Sequence, residues 1–90
     1  MKEFETLDFG ILDYSISSEI ATELERAKKK HPNWPTDIFQ QLAIMQEEAG
    51  EVTKAVLDYH FEKKSIADVR EELLQTAAMC VRMLENLPIE

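Results

Sequence analysis

The chain has 90 residues, enough for one small domain but too few for a large core from a single copy. It is 44% hydrophobic with only 2 glycines and 3 prolines, which excludes a disordered tail, and its 18 acidic against 10 basic residues leave a formal net charge of −8, which argues against a DNA- or RNA-binding module. The lone cysteine, Cys80, excludes an intrachain disulfide and fits a reducing cytoplasm; Met1 to Glu5 lacks a signal-peptide pattern, and the apolar stretch near Leu73 to Val81 is too short to span a bilayer, so a cytoplasmic protein with no membrane contact is expected.

Residues 1–16 carry Phe4, Leu7, Phe9, Ile11, Leu12, Tyr14 and Ile16, yet Gly10 and the spacing support neither helix nor strand. They read as an ordered arm or short helix whose aromatics pack on the body or on a second subunit. Residues 17–90 read as one helical domain. Its first helix is predicted from about Ser18 to Lys30, capped by Ser17 or Ser18. Early Glu19, Glu23 and Glu25 and late Lys28, Lys29 and Lys30 suit the helix dipole. Ile20, Ala21, Leu24 and Ala27 give it a thin apolar stripe, and His31-Pro32-Asn33-Trp34-Pro35 breaks it.

The second helix is predicted from Asp37 to Tyr59, with Thr36 or Asp37 as its cap. Ile38, Leu42, Met45, Ala49, Val52 and Val56 recur at three- and four-residue intervals. Gly50 inside it either permits a close approach or has no special role. His60 to Lys64 form the connection. Ser65 caps the third helix, with Asp68 placed for a capping box. This helix reaches about Asn86, with Ile66, Val69, Leu73, Ala77, Cys80, Leu84 and Leu87 on one side, so Cys80 reads as a buried structural thiol, and Pro88 stops it. The short loop makes helices two and three antiparallel neighbours. The fold class is therefore all-α, an antiparallel helical bundle completed by oligomerisation.

Within that frame, Glu48 shares a stripe with Ile44, Met45, Val52 and Ala55, and Glu72 shares one with Val69, Thr76, Met79 and Met83. A carboxylate on a core-facing stripe is costly unless it neutralises or finds a cation. Glu48 and Glu51 reach one side of helix two, Glu72 and Gln75 repeat the spacing on helix three, and Asp68 lies one turn before Glu72. Antiparallel packing brings the two clusters level. Together they offer oxygen ligands of the kind Mg²⁺ prefers, with Mn²⁺ as the alternative. Glu47 and Glu71 project away from the apolar stripes and read as a solvated face.

The pattern Glu47-Glu48-x-x-Glu51, then a spacer, then Glu72-x-x-Gln75, resembles the MazG-like branch of the all-α nucleoside triphosphate pyrophosphohydrolases, whose motif is EExxE followed by ExxD. The resemblance spans Trp34 to Leu84 and extends to the flanking His31-Pro32-Asn33-Trp34-Pro35 segment. It implies Mg²⁺-dependent hydrolysis of a nucleoside or deoxynucleoside triphosphate to the monophosphate and pyrophosphate, in a homodimer or homotetramer. By position it implies Glu48, Glu51 and Glu72 as metal ligands, Gln75 in place of the family's Asp, and Glu47 as a water-orienting base or an outer-sphere group. The amide at Gln75 lowers the site's charge by one; either Asp68 compensates, or the metal is held weakly, or catalysis is poor.

Among substrate contacts, Trp34 reads as a base-stacking group or a packing anchor. Arg82, two turns beyond Gln75, is the first choice for a phosphate contact, ahead of Lys54, Lys63, Lys64 and Arg70, each of which otherwise reads as a surface cation. Two rival readings stand beside the hydrolase. One is a catalytically silent nucleotide-binding or interaction module, which Gln75 favours. The other is a di-iron carboxylate bundle, which His31 and His60 argue against because neither completes a Glu-x-x-His pattern.

Overall fold

The computed structural model describes residues 9–89, with side chains from residue 15 onward. Three helices account for most of it: α1 (Phe9–Lys30), α2 (Ile38–Glu62) and α3 (Ile66–Glu85), and no strand occurs among the described residues. α1 starts well before the Ser17 or Ser18 cap that the sequence suggests. Both serines lie inside the helix, and the Thr22 hydroxyl donates to the Ser18 carbonyl at 3.0 Å. The reason is continuity of spacing: Ile16, Ile20 and Leu24 extend the apolar row four residues at a time, which outweighs the serines' preference for a cap. The packing expected of the aromatic arm falls outside the side chains described.

The other helix ends follow the sequence more closely. The Asp37 carboxylate caps α2 by accepting from the Gln40 N–H at 3.0 Å. α2 runs through His60 and Phe61 to Glu62, beyond the predicted end at Tyr59. With no glycine available, Lys63 takes the left-handed conformation itself (φ 58°). The Ser65 hydroxyl caps α3, but it accepts from Ala67 N–H at 3.0 Å, so the reciprocal box predicted with Asp68 does not form in its usual geometry.

α3 is the central element. It packs against α2 and against α1, while α1 and α2 do not pack on each other. Gln41, near the start of α2, reaches Asn86 beyond the end of α3, so these two helices are antiparallel as expected. α1 instead runs parallel to α3: Glu19 pairs with Arg70 near the start of α3, and Lys28 pairs with Glu85 at its end (2.8 Å).

This arrangement decides which face of α3 is buried. Its inward row is Val69, Glu72, Gln75, Ala78, Met79 and Arg82, all buried or half-buried. The more uniformly apolar row does not form a core: Ile66, Leu73, Leu84 and Leu87 are exposed, and so is Cys80, contrary to its reading as a buried thiol. Two flanking helices draw α3's inward face to the side lying between them, and the other apolar residues are left facing out. The buried apolar side chains among the described residues are small: Ala55, Val69 and Ala78. Phe39, Leu42, Val56 and Leu57 of α2 are likewise exposed. Gly50 faces open space, with nothing within 4 Å of where a Cβ would stand, so close approach is not its role within this chain. No described helix is long and apolar enough to cross a membrane.

Candidate functional site

Because α1 and α2 flank α3 without touching, they leave a groove of about 500 Å³ between them. α3 supplies its floor through Glu71, Gln75, Met79 and Arg82. α2 supplies one wall through Ile44, Glu47 and Glu48, and α1 the other through Glu23, Arg26, Ala27 and Lys30. The link from His31 to Trp34 closes one end.

That end is held by polar side chains with defined partners. Arg82 is only 4% exposed, and its Nη1 donates to the His31 carbonyl at 2.9 Å and to the Ala27 carbonyl at 3.5 Å, satisfying the last turn of α1. Its guanidinium carbon lies 4.6 Å from the centre of the Trp34 ring, a cation–π contact. Gln41 is completely buried and its amide donates to the carbonyls of Pro35 (3.0 Å), Thr36 (3.4 Å) and Asn86 (2.9 Å). One side chain thus ties the interhelix link to the end of α3. The surface-cation default for Arg82 is overturned, and the packing role considered for Trp34 is observed.

The carboxylate wall is different. Glu48 is half-buried, and burial, followed by the charges of Glu47, Glu51 and Glu23, raises its pKa above the ordinary glutamate value. Glu72 is also half-buried and its pKa is likewise raised, by burial first and then by Glu48, Glu51, Glu71 and Asp68. The Glu72 Oε1 is fully buried and has no hydrogen-bond partner. Glu72 therefore feels the charges of Glu48 and Glu51 across the α2–α3 contact, and no cationic side chain among the described residues pairs with Glu48 or Glu72. As they stand, no three acidic, histidine or cysteine groups among the described residues converge closely enough to enclose an ion. The donor chemistry nonetheless fits a divalent cation: the site offers carboxylate oxygens, one of them buried and orphaned.

The remaining predicted site residues divide into two sets. Glu47 and Gln75 line the groove with Glu48, Trp34 and Arg82. Glu51, Glu72 and Asp68 lie beside it on the same helices and are joined to it by charge. Lys54 is outside it, paired with Asp58 at 3.0 Å, and Arg70 is engaged by Glu19. Glu71 is exposed as its reading as a solvated face requires, yet it also lines the groove. Sequence reasoning did not single out Glu23, Arg26 and Lys30 of α1 as site residues. Their signal was present in outline: Glu23, Ala27 and Lys30 recur at four and three residues on the side that carries Ile20, so charge enters α1's thin apolar stripe.

Comparison of the chain with protein-family models, with curated proteins and with solved structures finds no match.

Proposed function

We propose that the groove is the active site of a Mg²⁺-dependent nucleoside triphosphate pyrophosphohydrolase of the MazG-like all-α type, breaking a triphosphate into monophosphate and pyrophosphate. The observation that carries this reading is the Glu72 carboxylate, half-buried, with one oxygen unpartnered and surrounded by the charges of Glu48, Glu51, Glu71 and Asp68. Maintaining such a cluster without a cation costs stability, because the half-buried carboxylate faces only charges of its own sign. Glu48, Glu51 and Glu72 would hold Mg²⁺, with Asp68 and Gln75 one turn to either side of Glu72 on α3. A bound Mg²⁺ supplies neutralisation of phosphate charge and polarisation of the phosphoryl oxygens. The chain supplies the rest. Glu47, exposed on the groove wall, would accept a proton from water attacking phosphorus. Trp34 offers an indole at the closed end, where a base can stack.

The exposed apolar rows of α2 and α3 support a homodimer or a dimer of dimers as the working form. Sedimentation should therefore show association at micromolar concentration; a stable, folded monomer would contradict this.

A second reading, a catalytically silent nucleotide-binding module, is favoured by Gln75, which lines the groove where the hydrolase motif has a carboxylate. One experiment separates the two: pyrophosphate release from a panel of ribo- and deoxyribonucleoside triphosphates, with Mg²⁺ and with EDTA. Metal-dependent release from at least one triphosphate supports the hydrolase. Binding without release supports the silent module.

A further inference from the structure

The chain's net charge of −8 poses a problem for any polyanionic ligand, and the groove's own charge distribution addresses it. Three of its acidic side chains, Glu47, Glu48 and Glu71, lie on α2 and on the α3 floor, and a fourth, Glu23, lies on α1. Across the groove, α1 presents Arg26 and Lys30, one helical turn apart on one face. Four other cations are engaged elsewhere. Lys28 pairs with Glu85, Lys54 with Asp58 and Arg70 with Glu19, while Arg82 is buried and engaged with the end of α1. Arg26 has the reach and accessibility that Arg82 lacks, since its side chain is 62% exposed.

Arg26 is not idle. Its Nη2 donates to both oxygens of Glu23, at 2.8 and 3.0 Å, and Glu23 lines the same groove with a side chain only 18% exposed. An exposed pair of this i,i+3 type contributes little to stability, so its partner is readily exchanged. A phosphate offers the guanidinium stronger, bidentate acceptors than a single carboxylate.

We propose that Arg26 and Lys30 form the groove's phosphate-binding wall, opposite the carboxylates, and that Glu23 is a resident competitor that Arg26 leaves when a polyphosphate enters. This deepens the hydrolase reading and rests on it for the identity of the ligand. The α2–α3 carboxylates approach the polyphosphate through a cation, and α1 approaches it directly. The groove thereby holds a chain of phosphates between two walls of opposite charge, and its specificity is for a polyphosphate over a monophosphate, which is too short to engage both walls.

The test uses inorganic tripolyphosphate with Mg²⁺, a probe free of sugar and base, titrated calorimetrically into the full chain. Arg26→Ala should weaken its binding roughly tenfold or more and lower the salt dependence of the affinity, as expected when a charge-assisted contact is lost. Arg26→Lys should retain part of the affinity. Glu23→Gln should strengthen binding several-fold by freeing Arg26. Orthophosphate should bind far more weakly and respond little to any of these changes. Both positions line the groove, and unchanged thermal unfolding would confirm an intact fold. The inference is overturned if Arg26→Ala binds tripolyphosphate like the unaltered protein, if Glu23→Gln weakens binding, or if the unaltered protein does not bind the probe. It survives if binding depends on Arg26 but no triphosphate is hydrolysed, in which case the hydrolase reading alone fails. Conversely, Mg²⁺-dependent pyrophosphate release that is indifferent to Arg26 would retain the hydrolase and remove this wall.

Discussion

The closed end of the groove and its carboxylate wall both withdraw polar side chains from water, but they treat them differently. Arg82 and Gln41 keep one atom each unpaired, yet their other groups donate to carbonyls that would otherwise be stranded at helix ends and in the interhelix link. Glu72 also has a buried oxygen without a partner, but it and Glu48 are, in addition, surrounded by like charge. The lesson is that burial of a polar group does not by itself indicate function; what it is paired with does. A buried group with backbone partners holds the fold, whereas one facing only its own sign costs stability as it stands.

The largest effects should arise from breaking the closed end. Arg82→Ala removes the hydrogen bond to the His31 carbonyl, the contact beneath Trp34 and a buried side chain, while the Ala27 carbonyl keeps its bond from the His31 N–H, so it should destabilise the protein by about 3 kcal/mol. Gln41→Ala should cost about 2–3 kcal/mol through loss of its three carbonyl contacts and the space it leaves. Urea unfolding would measure both. If Arg82→Ala instead lowered activity with no loss of stability, the residue would belong to the ligand and the comparison would collapse at that end.

Breaking the carboxylate wall should have the opposite sign. Glu48→Gln or Glu72→Gln removes repulsion, so the metal-free protein should be as stable as before or more so, while Mg²⁺ affinity falls roughly tenfold or more. Unfolding with and without Mg²⁺ reads both effects. Destabilisation of the metal-free form by several kcal/mol, estimated as about 3–5 for a broken buried pair, would make that glutamate a structural ion-pair partner.

Which of these distinctions the sequence carried can be stated residue by residue. The periodicity of α2 and α3, the caps at Asp37 and Ser65, and the antiparallel α2–α3 pair were legible because they depend on local spacing and on a short loop. The start of α1 was not, since two serines mid-helix imitate a cap. Nor was the direction of α3's apolar row. That depends on α1 packing against α3 in parallel, a long-range fact, and it leaves Leu73, Cys80 and Leu84 outside. Glu48 and Glu72 were identifiable from their apolar neighbours on the helical wheel. The contribution of α1 to the groove was missed because Glu23, Arg26 and Lys30 sit among ordinary surface charges, and only the gap between α1 and α2 gives them a shared cavity.

The wall's charge also predicts a pH response of moderate size. Glu48 and Glu72 bind protons more tightly in the folded chain than in the unfolded one. Their contribution to stability is fully present below the unfolded glutamate pKa, about 4.3, and is lost as pH rises through their raised folded values. Lowering the pH of the metal-free protein from neutral to about 5 should therefore raise its Tm through these groups. The Glu48→Gln/Glu72→Gln double variant should lose that gain, and an unchanged slope would show that the two carboxylates are solvated in the folded state.

The smallest effects concern Gln75 and Asp68. Gln75→Asp adds a carboxylate on the groove floor and should tighten Mg²⁺ binding several-fold and increase pyrophosphate release, while slightly destabilising the metal-free chain through added repulsion. Asp68→Asn should weaken Mg²⁺ binding if Asp68 compensates for the amide. If Gln75→Asp changes neither quantity, Gln75 serves as a hydrogen-bonding group toward substrate or a neighbouring carboxylate, and the cation is held by the glutamates alone.

The central claim is that the unpartnered carboxylates await a divalent cation, and a calorimetric titration of Mg²⁺ into the metal-free protein at neutral pH tests it most directly. Saturable binding is predicted, and Glu72→Gln should abolish or greatly weaken it, because that substitution removes the half-buried carboxylate with the unpartnered oxygen. Absence of saturable binding, or binding unaffected by Glu72→Gln, would contradict it.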